Sequence, residues 1–176
     1  MAHGILPYRI SLERLQSRIG LNDIAKENKI KEGCIRHAKN IDSLANDGET
    51  PKFMDIVEEL LTGKINHTEY GYIYWYAIKY FIEDLGQSLP NSNWYPSSAD
   101  LFFDNPSFIL YGIDFTRTIP KPEDFPTVFV LNKEKMNDEL LISLKEKIAD
   151  MGQFSELTSW IVTAKKYKED LVIYYH

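Results

Sequence analysis

The residues of this chain able to do chemistry are few and scattered. Cys34 is its single cysteine, with Arg36 and His37 close by in sequence. A thiol becomes a nucleophile only where a base or a positive charge favours the thiolate. On a helix neither neighbour sits at i+4 from Cys34, so the segment reads as one holding a buried structural cysteine. The histidines are His3, His37, His67 and His176. None has a second histidine or a carboxylate at a recurrent metal spacing: His67-Thr68-Glu69 is too compact for one helix face, and His-Glu-x-x-His is absent. A Gly-x-Ser-x-Gly elbow and a glycine-rich phosphate loop are absent too. Glu58-Glu59, Glu83-Asp84, Asp100, Asp104 and Asp114 are numerous enough for acid–base work, but carboxylates grouped this way usually mark a solvated face. The sequence therefore offers no catalytic residue, no metal ligand set and no cofactor motif.

One constellation carries more. Thirteen of the 23 aromatic residues lie between Tyr70 and Tyr111, under a quarter of the 176-residue chain. Asn91, Asn93, Asp100 and Asp104 are interleaved with them, and Asp114 and Arg117 come soon after. Rigid aromatics supply contact area at low entropic cost while amides and charged groups supply direction, the make-up of a docking patch or a pocket. Trp75, Trp94, Tyr95, Asp100, Asp104 and Arg117 are the binding residues expected on this basis. The competing reading is structural: Tyr70, Tyr74, Phe81, Phe102 and Phe103 form a core, and Trp94-Tyr95 pins a proline-rich loop onto it. A base-stacking surface is the third reading, but the Lys and Arg that would hold phosphates are not interleaved.

Composition bounds these readings. A length of 176 residues fits one ordinary domain spanning 1–176, able to bury roughly 70% of its unfolded surface without staples. The apolar fraction of 44% and charged fraction of 26% are globular values, which argues against disorder. One cysteine allows neither an intramolecular disulfide nor a cysteine-based zinc cage. The apolar stretch from Tyr70 to Ile82 is broken by Lys79 and falls short of a membrane span. Met1 to Pro7 does not make a signal-peptide core, and a cytoplasmic protein is expected. A net charge of −6 repels phosphate backbones and disfavours nucleic acid, while suiting a basic partner.

Caps and periodicity give the scaffold that holds these residues. No element is expected before Ser11, which can cap a short helix to about Ile19, with Gly20 as its stop. A second helix covers Ile24 to Ala38 with room for a break at Gly33, and Asn40 to Glu49 reads as a loop. Thr50-Pro51 starts a third helix, striped by Phe53, Ile56, Val57, Leu60 and Leu61 and ended by Gly63. Thr68 to Leu85 is a helix apolar around most of its circumference, wettable only along Tyr72, Tyr76, Lys79 and Glu83, and so a core helix. Six prolines then punctuate Gln87 to Pro126, leaving room for short extended pieces at Leu101–Phe103 and Phe108–Phe115. Thr127–Leu131 has strand composition, with Asn132 able to end it and to cap the next element. Helices are expected over Asn137–Met151, stopped by Gly152, and from about Ser155 through Leu157, Trp160, Ile161, Ala164 and Tyr167. Leu171–Tyr175 closes the chain as a strand.

Four blocks carry a resemblance: Tyr8-Arg-Ile-Ser-Leu-Glu-Arg-Leu15, Tyr70-Gly-Tyr-x-Tyr-Trp-Tyr-Ala77, Leu85-Gly-x-x-Leu-Pro-Asn91 and Asp124-Phe-Pro126. With them the chain resembles a bacterial domain-of-unknown-function family of small cytoplasmic proteins that close on a helix and a strand. The resemblance covers most of the chain and implies no activity and no site residues. Small acidic domains of this kind are also similar to immunity proteins, which neutralise a toxin by binding it.

The fold expected is α+β: five or six helices around the 68–85 helix, with a small sheet containing 127–131 and 171–175, neighbours that a helical crossover would make parallel. The function expected is non-enzymatic binding of another protein. The alternative is a small enzyme or ligand binder with a pocket in the 70–117 segment and Asp100, Asp104 or Asp114 as acid or base.

Overall fold

The computed structural model describes residues 4–21, 23–43, 50–94 and 99–176. In chain order the elements are β1 (Ile5–Ile10), α1 (Leu12–Gln16), α2 (Ile24–Asp42), α3 (Phe53–Thr62), α4 (Gly71–Leu85), β2 (Gln87–Ser88), α5 (Asp100–Phe103), β3 (Ile109–Leu110), β4 (Thr127–Leu131), a 3-10 turn (Lys133–Lys135), α6 (Asp138–Lys147), α7 (Met151–Tyr167) and β5 (Asp170–Tyr175). The fold is α+β, with seven helices and one five-stranded antiparallel sheet among the described residues. The chain packs as two compact units. Residues 1–12, 85–113 and 125–176 form the first, and residues 13–84 and 114–124 the second.

The first unit holds the sheet, in the order β2-β1-β5-β4-β3. β4 and β5 are neighbours, as their sequences suggest, but they run antiparallel, with Val128 opposite Tyr174 and Val130 opposite Val172. This corrects the parallel pairing expected. One helical pass between two strands sets up parallel neighbours; here α6 and α7 both intervene, and the second pass reverses the chain again. β1 is a strand that the sequence does not announce, because Pro7 and Arg9 interrupt a short run. Its six residues nevertheless all pair with β5, from Ile5 opposite Tyr175 to Ile10 opposite Asp170. Pro7 is tolerated because its polar side faces away from β5, where its carbonyl accepts the Leu89 N–H at 2.9 Å.

Alternation places Ile5, Phe129, Leu131, Leu171 and Ile173 on one sheet face, in a core with Leu140 and Leu144 of α6 and Leu157, Trp160, Ile161 and Ala164 of α7. The α7 positions recur at i, i+3, i+4 and i+7, one helix stripe. Asn137 caps α6 by accepting the Leu140 N–H at 2.9 Å, and Asp150 caps α7 by accepting the Gln153 N–H at 2.8 Å. α6 therefore ends at Lys147, and Gly152, expected to stop it, lies inside the first turn of α7. Leu101–Phe103, expected extended, is one turn of helix in α5. The proline-rich segment is held by indoles: Trp94 donates to the Gln153 carbonyl at 3.2 Å and Trp160 to the Pro90 carbonyl at 2.6 Å.

The second unit is helical. α2 runs from Ile24 to Asp42 with no break at Gly33 and takes in Asn40, Ile41 and Asp42 of the segment expected as a loop; residues 44–49 lie outside the described ones. Asp42 caps the next helix by accepting the Phe53 N–H at 2.8 Å, and α3 starts two residues past Thr50-Pro51. Gly63 ends α3 in the left-handed conformation, φ 70°, as expected. The carbonyls of Leu60 and Leu61 accept the N–H groups of Gly20 and Leu21 at 2.9 and 2.7 Å, so the chain after α1 satisfies the end of α3. α4 buries Ile73, Tyr74, Trp75, Ala77, Ile78, Phe81 and Ile82, the core role expected of it. Its first residue, Gly71, meets the 114–124 segment backbone to backbone: a Cβ there would lie 2.4 Å from the Lys121 carbonyl oxygen.

That approach leaves no room for a methyl group. Gly71→Ala is expected to destabilise the protein by about 1–3 kcal/mol, the range for overpacking a close contact. Urea unfolding checks it, and an unchanged midpoint would mean that the segment moves aside without cost.

Candidate functional site

The residues expected to bind a partner separate into two kinds. Trp75 and Trp94 are each 2% exposed. Trp75 donates its indole N–H to the Pro120 carbonyl at 3.0 Å in the second unit, and Trp94 packs at a tilt against Phe102 and Trp160 in the first. Burial with the polar atom satisfied gives both indoles packing roles; Trp94 fits the structural reading of the aromatic segment, while Phe103, which that reading puts in the core, is 55% exposed. Asp100, Asp104 and Arg117 are exposed, Asp100 at the start of α5, Asp104 at its C-cap and Arg117 beside Gly63 in the second unit. Tyr95 lies outside the described residues. Among the described candidates Asp100 and Asp104 are both exposed at α5, whose Phe102 packs against the buried Trp94.

Around those two carboxylates the first unit presents apolar surface that the sequence does not single out. Phe103, Ile109 and Leu110 are 55%, 42% and 43% exposed. Among the described residues β3 is an edge strand paired only with β4, with Ile109 opposite Val130 and Leu110 opposite Phe129. Opposite residues share a face, so Leu110 and Phe129 point the same way, and Phe103 sets its ring edge-on to Phe129 at 4.8 Å between centroids. Phe103 and Leu110 therefore extend the core face outward to the edge, while Ile109 lies on the reverse face. Lys147 donates to the Asp104 backbone carbonyl at 3.1 Å, so it anchors the end of α5 through the main chain.

The second unit contains a cleft between α2 and α4 of about 290 Å³, lined by Lys29, Ile30, Gly33, Cys34, Arg36 and His37 from α2 and by Tyr80, Phe81, Glu83 and Asp84 from α4. Cys34 and His37 stand at i and i+3, and the helix brings both to this cleft, a pairing that a search at i+4 overlooks. The thiol is buried, and burial, with a smaller contribution from Asp84, pushes its pKa up to about 11, which disfavours the thiolate. His37 stacks on the Tyr80 ring at 3.7 Å. Burial lowers its pKa, with Glu83 opposing and Arg36 and Lys79 adding to the effect. Asp100, Asp104 and Asp114, expected as acid or base, do not line this cleft.

A second cluster in this unit has catalytic residue types and a structural purpose. Glu59 of α3, buried, accepts the Tyr74 hydroxyl, the Asn66 backbone N–H at 2.7 Å and the Asn66 amide at 3.3 Å, with His67 Nδ1 2.6 Å away. Tyr74 in turn accepts the His67 N–H at 3.2 Å. Burial alone would raise the Glu59 pKa, but the donors outweigh it and the net shift is downward. Burial and the neighbouring carboxylate push the Tyr74 pKa up. A carboxylate with its acceptor sites this fully used holds the α3–α4 connection and is not positioned to take a proton. Among the described residues no three His, Cys, Asp or Glu side chains gather as metal ligands, and no helix is long and apolar enough to cross a membrane.

Because the folded-state pKa of Glu59 lies below its ordinary value of 4.5, its stabilisation is present above that pH and is lost as pH falls through the lower folded value. Glu59→Gln is expected to cost about 1–3 kcal/mol at pH 7, the scale of charge-assisted hydrogen bonds. The gap between wild type and variant should narrow below pH 4.5. Urea unfolding at pH 7 and pH 3 measures it, and a gap of equal size at both would show that the carboxylate charge plays no part.

No curated protein and no solved structure matches this chain. The chain closes on a helix and a strand, α7 and β5. The model of the family described as Domain of unknown function (DUF7691) matches residues 1–176, and the chain belongs to that family.

Proposed function

We propose that the protein is a non-catalytic binding protein whose partner is another protein, docked at the β3 edge of the sheet. The observation that carries this reading is the exposed apolar side chains at this edge, Phe103 and Leu110 on the core face and Ile109 on the reverse, with Asp100 and Asp104 exposed at the two ends of α5. An edge strand flanked by apolar side chains suits an extended partner segment that pairs along it and seats alternate side chains on the two faces. The two aspartates and the net charge of −6 favour a partner with Lys or Arg flanking its apolar residues. Immunity-like neutralisation of a basic protein is one form such binding takes in a bacterial cytoplasm, a compartment that a single unpaired thiol suits. The raised pKa of Cys34 and the saturated carboxylate of Glu59 both weigh against a catalytic role for these groups.

The test is capture of partners by the tagged protein and by its variants. Leu110→Lys and Phe103→Ser should weaken binding about 30-fold, the scale of losing a ~2 kcal/mol hot spot. Val162→Ser, at an exposed apolar position on α7, should leave it unchanged. Asp100→Asn combined with Asp104→Asn should slow association and reduce its salt dependence. A partner retained by both edge variants, or lost equally from the α7 variant, would remove the edge as the docking face.

A further inference from the structure

We propose that the α2–α4 cleft is a binding site for a small organic anion, an apolar body carrying a carboxylate or a phosphate. Ile30, Cys34 and Phe81 are nearly fully buried and give the cleft an apolar floor, with Tyr80 held between the stacked His37 ring and the edge of Phe53. A volume of about 290 Å³ lies at the small end of ligand sites and suits a single ring or a short chain.

The charges on its rim are not balanced. Glu83 is paired with Lys79 at 2.8 Å and Asp84 with Arg18 at 3.3 Å. Lys29 and Arg36 have no ion-pair partner among the described residues. They stand at i and i+7 on α2, two turns and roughly 10.5 Å apart on one face. Gly33 lies between them and contributes no side chain, so both cations border the same opening. The charge left for a ligand to neutralise is positive.

Gly33 points the same way independently of charge. A glycine inside a helix is less favourable than alanine, and the usual reason to keep one is a close approach of other atoms or a left-handed backbone. Neither holds here: a Cβ at Gly33 would meet nothing within 4 Å, and its φ is not positive. The close approach at Gly71 and the positive φ at Gly20 and Gly63 show what those reasons look like in this same unit. What the glycine at 33 provides is the opening itself, in the middle of α2 and between two unpaired cations.

The experiment is a ¹H–¹⁵N titration of the full chain with phenyl phosphate, with benzoate and, as a cationic counterpart, with benzylamine. Phenyl phosphate and benzoate are expected to move the amides of Gly33, Cys34 and His37 in a saturable way at millimolar concentration, and benzylamine to leave them in place. Arg36→Gln, an exposed substitution, should weaken phenyl phosphate binding tenfold or more. Gly33→Leu should fill the opening and abolish binding while the spectrum elsewhere remains that of the folded protein. Gly33→Ala should bind more weakly and raise the melting temperature, which separates loss of the opening from loss of the fold. Amides that no anion moves, a response to benzylamine equal to that of the anions, or undiminished binding by Arg36→Gln would each overturn the proposal.

Discussion

The pairing of the first strand with the last is the constraint on which the sheet rests. All six residues of β1 partner all six of β5, and Gly4 and His176 exchange backbone hydrogen bonds of 2.8 and 3.2 Å just beyond them. β5 then lies between β1 and β4, so its buried N–H and C=O groups are satisfied on both sides. Such a pairing joins the ends of the chain, and its loop-closure entropy is lost before any contact rewards it. The register is secured at one end by Asp170, 5% exposed, whose carboxylate accepts the Lys133 N–H at 2.9 Å and the Leu12 N–H at 3.3 Å. Next to it Arg9 pairs with Glu169 and lies over the Tyr167 ring. A slip of one residue would turn Leu171 and Ile173 away from the core and unmake these contacts together.

In the helical unit the same requirement, that buried polar groups find partners, is met from outside each helix. α3 is capped at its start by Asp42 from α2 and at its end by the N–H groups of Gly20 and Leu21, while Glu59 on its flank gathers the loop that leads to α4. Each of these groups would cost free energy if buried alone. Satisfying them with side chains and backbone from other segments fixes where α2 and α4 stand against α3. It also leaves the face of α2 around Gly33 uncovered, which is how a well-packed unit comes to have a cleft.

The four sequence blocks read above as a resemblance have structural work to do in this fold. Tyr8 pairs in β1 and meets Tyr174 edge-on. Gly71 admits the backbone of Lys121, and Tyr74 and Trp75 behind it are buried and hydrogen-bonded. Asn91 donates to the Ile5 carbonyl and accepts the Trp94 N–H at 3.2 Å, tying the proline-rich segment to β1. Phe125 precedes Pro126 across a cis peptide bond and packs on Tyr175. The surfaces of this chain carry other features: side chains exposed at β3, two cations at the cleft with no ion-pair partner among the described residues, and a glycine whose Cβ would meet nothing within 4 Å.

Local chemistry made much of this structure legible. β4 and β5 are seen in runs of branched and aromatic residues, α4 in its near-continuous apolar surface, and the end of α3 in Gly63, because propensity, periodicity and capping act over a few residues. Asp100 and Asp104 could be named as polar groups near aromatics, but the sequence could not tell that Phe103 reaches solvent while Trp94 and Trp75 are buried. Exposure depends on which elements lie above a side chain. The strand at Ile5–Ile10, the antiparallel sense of β4 and β5, and the start of α7 at Met151 likewise escaped, because partners distant in the chain or competing caps decide them. The cleft is the clearest case. Helical periodicity alone puts Lys29, Gly33, Cys34, Arg36 and His37 on one helix. That they face a cavity with positive charge left over came from packing at a distance, which set α4 against that helix and paired Glu83 and Asp84 elsewhere.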